Sequence, residues 1–226
     1  MIRAYPSFKG GYDPRLQDNV ETLRLLVEGA SSRSLAFWIC APSGLKESSQ
    51  GVVPGVPSST AAGFETADII FLLNFTTSQR SAMLNASSTL ALLYTPANEH
   101  FGIGPVEAMA CGVPVLACDS GGPTESVVSN PADARTGWLR KPVPEDWAQV
   151  LRDEILVMNP EQRSVVAKRS KDRVRTNFSM GAMAEGLESA LYGAVAQGPV
   201  RAPSTFWVIV VSIFLACASL LYRSLN

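Results

Sequence analysis

Two glutamates flank a glycine-containing stretch near the middle of the chain. Seven residues separate Glu99 from Glu107, and Gly102 and Gly104 lie between them. Glycine lets a backbone approach a ligand closely, and the amide groups at a helix N-terminus bind phosphate groups. Carboxylates repel a diphosphate, so these two side chains are suited to accept hydrogen bonds from hydroxyl groups. The stretch therefore indicates a site for a diphosphate that carries hydroxyl-rich groups.

A second glycine pair follows a short distance along the chain. Gly121 and Gly122 stand within Asp119–Glu125, directly after an apolar run. Because neither residue has a side chain, their backbone is predicted to approach a sugar or a phosphate closely. An ordinary strand-to-helix turn explains the same two residues equally well when they are considered in isolation.

The two glutamates also have ordinary structural explanations. Glu107 is predicted in the first turn of a helix, where a negative charge complements the helix dipole. Glu99 alone is consistent with a solvated loop carboxylate, and a pair of glycines by itself is a weak signal for phosphate binding.

The elements that must position these residues alternate between strands and helices. Apolar runs predict strands at Ile69–Phe75, Leu90–Thr95 and Val113–Asp119, and a helix is predicted at Pro105–Cys111 between the last two. Such alternation is typical of parallel sheets, whose ligands bind beyond the carboxyl ends of the strands. We therefore predict an α/β fold with a single Rossmann-like parallel-sheet domain, in which both glycine loops lie at the same sheet edge.

The predicted domain extends over residues 1–200. It includes a helix at Leu16–Glu28, a strand at Leu35–Cys40 and a Gly-, Pro-, Ser- and Thr-rich loop at about residues 41–66, which we expect to be mobile. Helical patterns recur toward its end, at residues 145–157, 161–176 and 180–196.

The composition excludes several classes of function. Hydrophobic residues make up 46% of the 226 residues and the formal net charge is -1, so neither a disordered chain nor a basic nucleic-acid-binding surface is indicated. His100 is the only histidine, which excludes multi-histidine metal sites. The four cysteines form no C-x-x-C pair and lie in apolar runs, which favours buried, reduced thiols.

The C-terminal segment is uncharged from Ala202 to Tyr222 and rich in large apolar residues. As a helix that rises ~1.5 Å per residue, it is long enough for a bilayer core of about 30 Å. Trp207 and Tyr222 lie near its two ends, where interfacial aromatic residues occur. We therefore predict a transmembrane helix at residues 205–222, a tail anchor that leaves Met1–Pro203 in the cytosol.

A basic stretch precedes this segment. Residues 161–178 hold six lysines and arginines against Glu161 and Asp172. A solvated helix face explains this charge, and so does a helix that lies on anionic lipid near the predicted membrane segment.

Several motifs together resemble a known enzyme family. The run EHFGIGPVEAMACGVPVLA at residues 99–117, followed by SGGPTE at residues 120–125, resembles the E-x7-E signature of retaining GT-B glycosyltransferases. The motifs GGYDPR at residues 10–15 and LLYTP at residues 92–96 are similar to the fungal α-1,3/1,6-mannosyltransferases of dolichol-linked oligosaccharide synthesis. The resemblance covers about residues 10–200 and implies the C-terminal, donor-binding half of a GT-B fold.

The resemblance also implies roles for individual residues. Glu107 would bind the nucleotide ribose, and Glu99 would lie beside the donor hexose. His100 would contact the donor sugar or the transferred group, although packing within the loop is an equally consistent role for it. The donor-binding backbone would comprise Phe101, Gly102, Ile103, Gly104, Gly121 and Gly122.

The implied reaction moves mannose from GDP-mannose, with retention at the anomeric carbon and without a metal or another cofactor. The implied acceptor is an early dolichol-diphosphate-linked oligosaccharide, extended in α-1,3 and α-1,6 linkage at the cytosolic face of the endoplasmic reticulum membrane. The expected partners are therefore GDP-mannose, this acceptor, the membrane and other glycosyltransferases of the same pathway, and nucleic acid is not among them.

The sequence departs from that family's pattern on its N-terminal side. Such enzymes have a preceding Rossmann domain that binds the acceptor, and an opening strand and loop whose arginine and lysine contact the donor phosphates. Met1–Lys9 does not resemble that strand. Loss of one preorganised electrostatic group typically costs ~100- to 1000-fold in rate. We therefore expect this chain to be an incomplete and inactive fragment.

Two alternatives share the same fold. One is a non-catalytic remnant that binds a nucleotide sugar weakly. The other is the donor domain of the N-acetylglucosaminyltransferase of glycolipid-anchor synthesis, which also has an E-x7-E signature and a C-terminal membrane span. The motifs GYD at residues 11–13 and YTP at residues 94–96 favour the mannosyltransferase.

Overall fold

Two compact units make up the chain, Met1–Leu92 and Leu93–Asn226. Parallel strands and helices occur in both, so the predicted α/β class is confirmed. The sequence predicts one sheet, whereas the described strands form one sheet of two strands and another of three. The single domain over residues 1–200 stays a prediction. The computed structural model describes residues 12–13, 15–40, 56–198 and 204–225.

The described residues of the first unit form two α-helices, a short 3-10 helix and a two-stranded parallel sheet. The strands pair in a continuous register that begins with Phe37 opposite Ile69. In chain order the elements are α1 (Gln17–Ser31), β1 (Phe37–Cys40), the 3-10 helix (Phe64–Thr66), β2 (Ile69–Leu72) and α2 (Thr77–Asn85).

The core of the first unit combines one face of α1 with the two strands. Leu23 and Val27, one helical turn apart, are buried in the same cluster as Phe37 and Phe71. The two aromatic rings meet edge to face with centroids 5.8 Å apart, a favoured arrangement. This helical spacing of apolar residues is the pattern that predicted α1 from the sequence.

Part of the predicted mobile loop is bonded to β1. Residues 41–55 lie outside the described residues, whereas residues 56–66 are described. The amides of Thr60 and Ala61 donate to the Phe37 carbonyl at 3.1 and 3.0 Å, and Thr60 Oγ1 accepts from the Phe37 amide at 3.0 Å. Alternate strand residues direct their backbone groups to opposite sides, so these bonds occupy the side of β1 away from β2.

The described part of the second unit is built around three strands. They are β3 (Leu92–Tyr94), β4 (Val115–Cys118) and β5 (Gly137–Arg140), in the spatial order β3-β4-β5. Strands β4 and β5 pair in parallel, from Val115 opposite Gly137 onward. Every residue of the central strand β4 is buried, as expected for a strand covered on both faces. Pro114, which has no N–H to donate to a neighbouring strand, immediately precedes β4.

The second unit also contains the helix that follows the first glycine loop and a long helix that packs against it. Helix α3 packs against both α6 and β4. At the start of α6, the Asn159 side chain accepts from the Gln162 amide at 2.8 Å, which caps the helix. The helices are α3 (Ile103–Cys111), α4 (Pro123–Ser126), α5 (Pro144–Val150), α6 (Pro160–Asn177) and α7 (Met180–Gln197).

A π-helical turn, Leu151–Ile155, continues α5. Within it, the Glu154 carboxylate accepts hydrogen bonds from Arg135, Trp138 and Arg140, which lie on β5 or just before it. The sequence predicts a regular helix over residues 145–157. The hydrogen bonds of Glu154 connect this wider turn to the sheet. Such a tertiary contact cannot be predicted from the spacing of apolar residues along a helix.

The chain ends in the apolar helix α8 (Ser204–Leu225). Thr205–Arg223 has a mean hydropathy of 2.2 and none of it is buried. This segment is long and apolar enough to cross a membrane, so the predicted apolar C-terminal helix is confirmed as a helix of the required length.

Candidate functional site

Tyr94, the last residue of β3, determines the path of the loop that follows. Its side chain is buried. A Cβ placed on Gly102 or on Gly104 would lie 3.0 Å from the Tyr94 ring, closer than side chains normally pack. The loop therefore folds back across this ring because both positions lack a side chain.

Gly102 ends the loop and caps α3. Its φ of +75° lies in the left-handed region that favours glycine, and the helix begins at the next residue, Ile103. The first amides of a helix have no intrahelical acceptor and lie at the positive end of the dipole. In α3 these amides include those of Ile103 and Gly104, whereas Pro105 has no N–H. This helix end is therefore suited to an anion.

Glu107 lies in the second turn of α3, so its predicted position in the first turn is wrong. The prediction started the helix at Pro105, whereas the left-handed Gly102 lets it start two residues earlier. Ile103 and Glu107 are four residues apart and share a face of the helix, and helical side chains tilt toward the N-terminus. The half-buried Glu107 therefore lies on the same face of α3 as Ile103, and its side chain tilts toward the helix N-terminus.

The residues before Gly102 form the turn that leaves β3. Asn98 has a φ of +55°, and its amide donates to Ser120 Oγ at 3.0 Å. Glu99 is half-buried and His100 is exposed, while Phe101 is 40% exposed. The structure therefore places the predicted residues Glu99, His100 and Phe101 on one loop, next to the end of α3.

Gly121 and Gly122 pack against this first loop. Gly121 has a φ of +62°, and a Cβ on it would overlap the Glu99 carbonyl oxygen. A Cβ on Gly122 would overlap the backbone of Phe101, and the Gly122 amide donates to the Glu99 carbonyl at 2.7 Å. The two glycine loops are thus in direct backbone contact, as their predicted place at one sheet edge requires.

This contact changes the interpretation of the second glycine pair. The sequence predicts that the missing side chains make room for a ligand, whereas the structure fills that room with protein backbone. The Gly122 amide is already bonded to Glu99, so it is not a donor for a phosphate group. The pair holds the first loop in place, and its role toward a ligand stays a prediction.

A buried thiol joins the ends of two strands beneath the loops. Cys118, the last residue of β4, donates through Sγ to the Thr95 carbonyl at 3.1 Å. Burial raises the pKa of the Cys118 thiol, so it remains protonated and can act as the donor. Among the four cysteines, the expected burial is confirmed for Cys118 alone, since Cys40 and Cys111 are half-buried and Cys217 is exposed.

The described part of the chain, residues 12–13, 15–40, 56–198 and 204–225, contains no group of three or more His, Cys, Asp or Glu side chains that could hold a metal ion. The expected independence from metal stays a prediction.

Comparison with known families shows to which enzyme family the chain belongs. Residues 60–173 match the family described as glycosyl transferases group 1, and the match includes both glycine loops. The chain belongs to the group 1 glycosyltransferases. The predicted family resemblance is thereby confirmed at the level of the glycosyltransferases.

Fungal relatives of this group 1 glycosyltransferase are similar over most of its length. The alpha-1,3/1,6-mannosyltransferase alg-2 of Neurospora crassa is 36% identical over 183 residues, which are 80% of this chain and 35% of the relative. The alpha-1,3/1,6-mannosyltransferase ALG2 of Rhizomucor pusillus is 34% identical over 212 residues, 92% of this chain and 42% of the relative. The chain therefore spans less than half the length of these relatives.

A solved structure supports the fold of this group 1 glycosyltransferase. The sucrose-phosphate synthase of Thermosynechococcus elongatus superimposes with a TM-score of 0.51 at 21% identity, covering 86% of this chain and 39% of that one. At this identity the similarity shows the fold alone. The predicted GT-B fold class is confirmed.

Sequence reasoning missed three residues that shape the site of this glycosyltransferase. In the sequence Tyr94 stands out only as part of the LLYTP motif, whereas in the structure its ring lies where side chains on Gly102 and Gly104 would be. Arg173 and Phe178 lie in the basic stretch, which was interpreted as a solvated face or a lipid contact. Arg173 donates to the carbonyls of Glu125 and Ser126, and the Phe178 ring packs against Phe101. No local pattern marks such contacts, because they join segments that are distant in the sequence.

Proposed function

We propose that this chain is the donor-binding half of a retaining mannosyltransferase that uses GDP-mannose. The observation that carries the proposal is the contact of the two glycine loops beside the N-terminus of α3, at the carboxyl ends of β3 and β4. Ligands of open α/β sheets bind at this edge. The mannosyltransferase names of the fungal relatives support the choice of sugar.

In this proposal the α3 end binds the donor diphosphate. The amides of Ile103 and Gly104 donate to phosphate oxygens, and the helix dipole stabilises their negative charge without a metal. Glu107 accepts hydrogen bonds from the ribose hydroxyls. Glu99 accepts from the mannose hydroxyls, and His100 lies beside the transferred group.

Transfer breaks the bond between the anomeric carbon and the diphosphate oxygen. A bond from that carbon to an acceptor hydroxyl forms on the same face of the sugar, and GDP and a proton are released. Charge develops on the leaving diphosphate, which the α3 amides and dipole are arranged to stabilise. We expect the 226 residues by themselves to bind the donor.

The acceptor in this proposal is a dolichol-diphosphate-linked oligosaccharide at the endoplasmic reticulum membrane. Helix α8 supports membrane anchoring, because Thr205–Arg223 is apolar and unburied. The soluble part then faces the cytosol, where other glycosyltransferases of the pathway are proposed partners. In microsomes, the chain is expected to resist alkaline extraction, whereas a variant that ends at residue 203 is expected to be released. Release of the full chain would contradict the anchor.

Titration of the full chain in detergent micelles tests the donor assignment. GDP-mannose is expected to bind more tightly than UDP-N-acetylglucosamine, with and without a metal chelator. Glu107→Gln is expected to weaken GDP-mannose about tenfold, because hydrogen bonds to charged groups contribute about 1.5–3 kcal/mol. Glu145→Gln, an exposed carboxylate in the first turn of α5, is the matched control and is expected to bind as the parent does.

Three results of this titration would overturn the proposal or part of it. Tighter binding of UDP-N-acetylglucosamine would favour the N-acetylglucosaminyltransferase of glycolipid-anchor synthesis. Binding that requires a metal would contradict the role of the α3 end. Equal binding by the parent and Glu107→Gln would remove Glu107 from the site.

A further inference from the structure

Arg173, near the end of α6, holds the second glycine loop through α4. Its Nε donates to the Ser126 carbonyl at 2.7 Å, and its Nη2 donates to the Glu125 carbonyl at 2.6 Å. These are the last two carbonyls of α4, which starts directly after Gly122. The final carbonyls of a helix have no intrahelical donor, and a cation there also complements the dipole. The guanidinium therefore fastens the helix that follows the loop.

The same guanidinium lies beside an aromatic pair that reaches the first glycine loop. Arg173 Cζ is 5.9 Å from the centroid of the Phe178 ring, within the range of a cation–π contact. Phe178 is the C-cap residue of α6. Its ring centroid lies 5.9 Å from that of Phe101, with the ring planes inclined by 59°. Phe101 stands between His100 and Gly102, so α6 contacts the middle of the first loop.

The direct contact between the loops makes their relative position sensitive to small shifts. The Gly122 amide donates to the Glu99 carbonyl at 2.7 Å, and the Phe101 backbone occupies the space of a Gly122 side chain. No flexible side chain lies between these backbones to absorb a displacement. If one helix restrains both loops, its contacts therefore fix the position of the two loops relative to each other.

We propose that Arg173 and Phe178 are positioning residues that hold the two glycine loops in register for donor binding. The inference rests on the proposed donor-binding function of those loops. Neither residue contacts the donor in this arrangement, since Arg173 bonds carbonyl groups and Phe178 packs on Phe101. Phe178 lies outside residues 60–173, which match the glycosyltransferase family.

Hydrogen exchange of the full chain in detergent micelles tests the restraint itself. Phe178→Leu and Arg173→Gln are expected to speed amide exchange in residues 98–104 and 120–126 about tenfold, because local opening becomes easier. Phe178→Tyr keeps the ring and is expected to exchange as the parent does. Arg175→Gln is the matched control, since the exposed Arg175 pairs with Asp172 on the same helix.

Donor titration separates positioning from a merely structural role. Phe178→Leu and Arg173→Gln are expected to weaken GDP-mannose about tenfold, because small misplacements of binding groups are costly. Phe178→Tyr and Arg175→Gln are expected to keep the parent's affinity. Unchanged loop exchange in Phe178→Leu and Arg173→Gln would overturn the inference, and so would faster exchange with parental affinity.

The same experiments distinguish this inference from the proposed function. If the parent chain does not bind GDP-mannose, the proposed function fails and the donor-binding part of the inference fails with it. Loop exchange then still decides whether Arg173 and Phe178 restrain the loops.

Discussion

Glycines at the sheet edge and glycines in α7 differ in the space that surrounds the position of a side chain. At the sheet edge, a Cβ on Gly121 or Gly122 would overlap backbone atoms of the neighbouring loop. In α7, apart from adjacent residues and the helix's own backbone, no heavy atom lies within 4 Å of the position that a Cβ on Gly186 or Gly193 would take. The difference teaches that a glycine is required where another segment occupies the space of its side chain, and is replaceable where that space is open and the backbone conformation is an ordinary helical one.

The largest effect is expected from Gly122→Ala. The new methyl group would overlap the Phe101 backbone, and relief requires breaking the bond from the Gly122 amide to the Glu99 carbonyl. We expect the free energy of unfolding to fall by about 3 kcal/mol or more. Urea unfolding followed by tryptophan fluorescence, to which the buried Trp138 contributes, measures this change. Parental stability would show that the two loops do not pack in the described way.

The smallest effect, of opposite sign, is expected from Gly193→Ala. Nothing occupies the space of the added methyl group, and alanine favours a helix interior over glycine by up to about 1 kcal/mol. Helix α7 should therefore melt at a higher temperature, as measured by circular dichroism at the helical band. Gly186→Ala is a second position with the same expected sign. A loss of stability in both variants would mean that α7 needs its glycines for close packing.

Strands β3 and β4 of the second unit follow directly from the sequence. The run Val113–Asp119 contains the observed β4 (Val115–Cys118), and the run Leu90–Thr95 contains β3 (Leu92–Tyr94). Strand β4 is buried along its whole length, as its uninterrupted apolar run predicts, whereas Leu93 in β3 is exposed. The observed strands are shorter than the predicted runs, because the end of a strand depends on which backbone groups are hydrogen-bonded to a neighbouring strand.

The start of α3 shows where local reasoning stops. Pro105 suggests a first helical position, yet the helix begins at Ile103 because Gly102 adopts a left-handed conformation. That conformation accompanies the return of the loop across the Tyr94 ring. The start of α3 therefore depends on the packing of the loop against Tyr94, at the end of the preceding strand, and not on the local proline.

The sequence by itself determined the α/β class, the order of strands and helices, the apolar C-terminal helix and the stretch that contains the candidate site. These properties depend on local patterns of apolar residues and on motifs within short segments. Only the tertiary structure decided that Gly121 and Gly122 accommodate the neighbouring loop and that Arg173 and Phe178 contact the site. The physical reason is that the space around a Cβ, and the partner of a guanidinium or a ring, are set by segments far away in the chain.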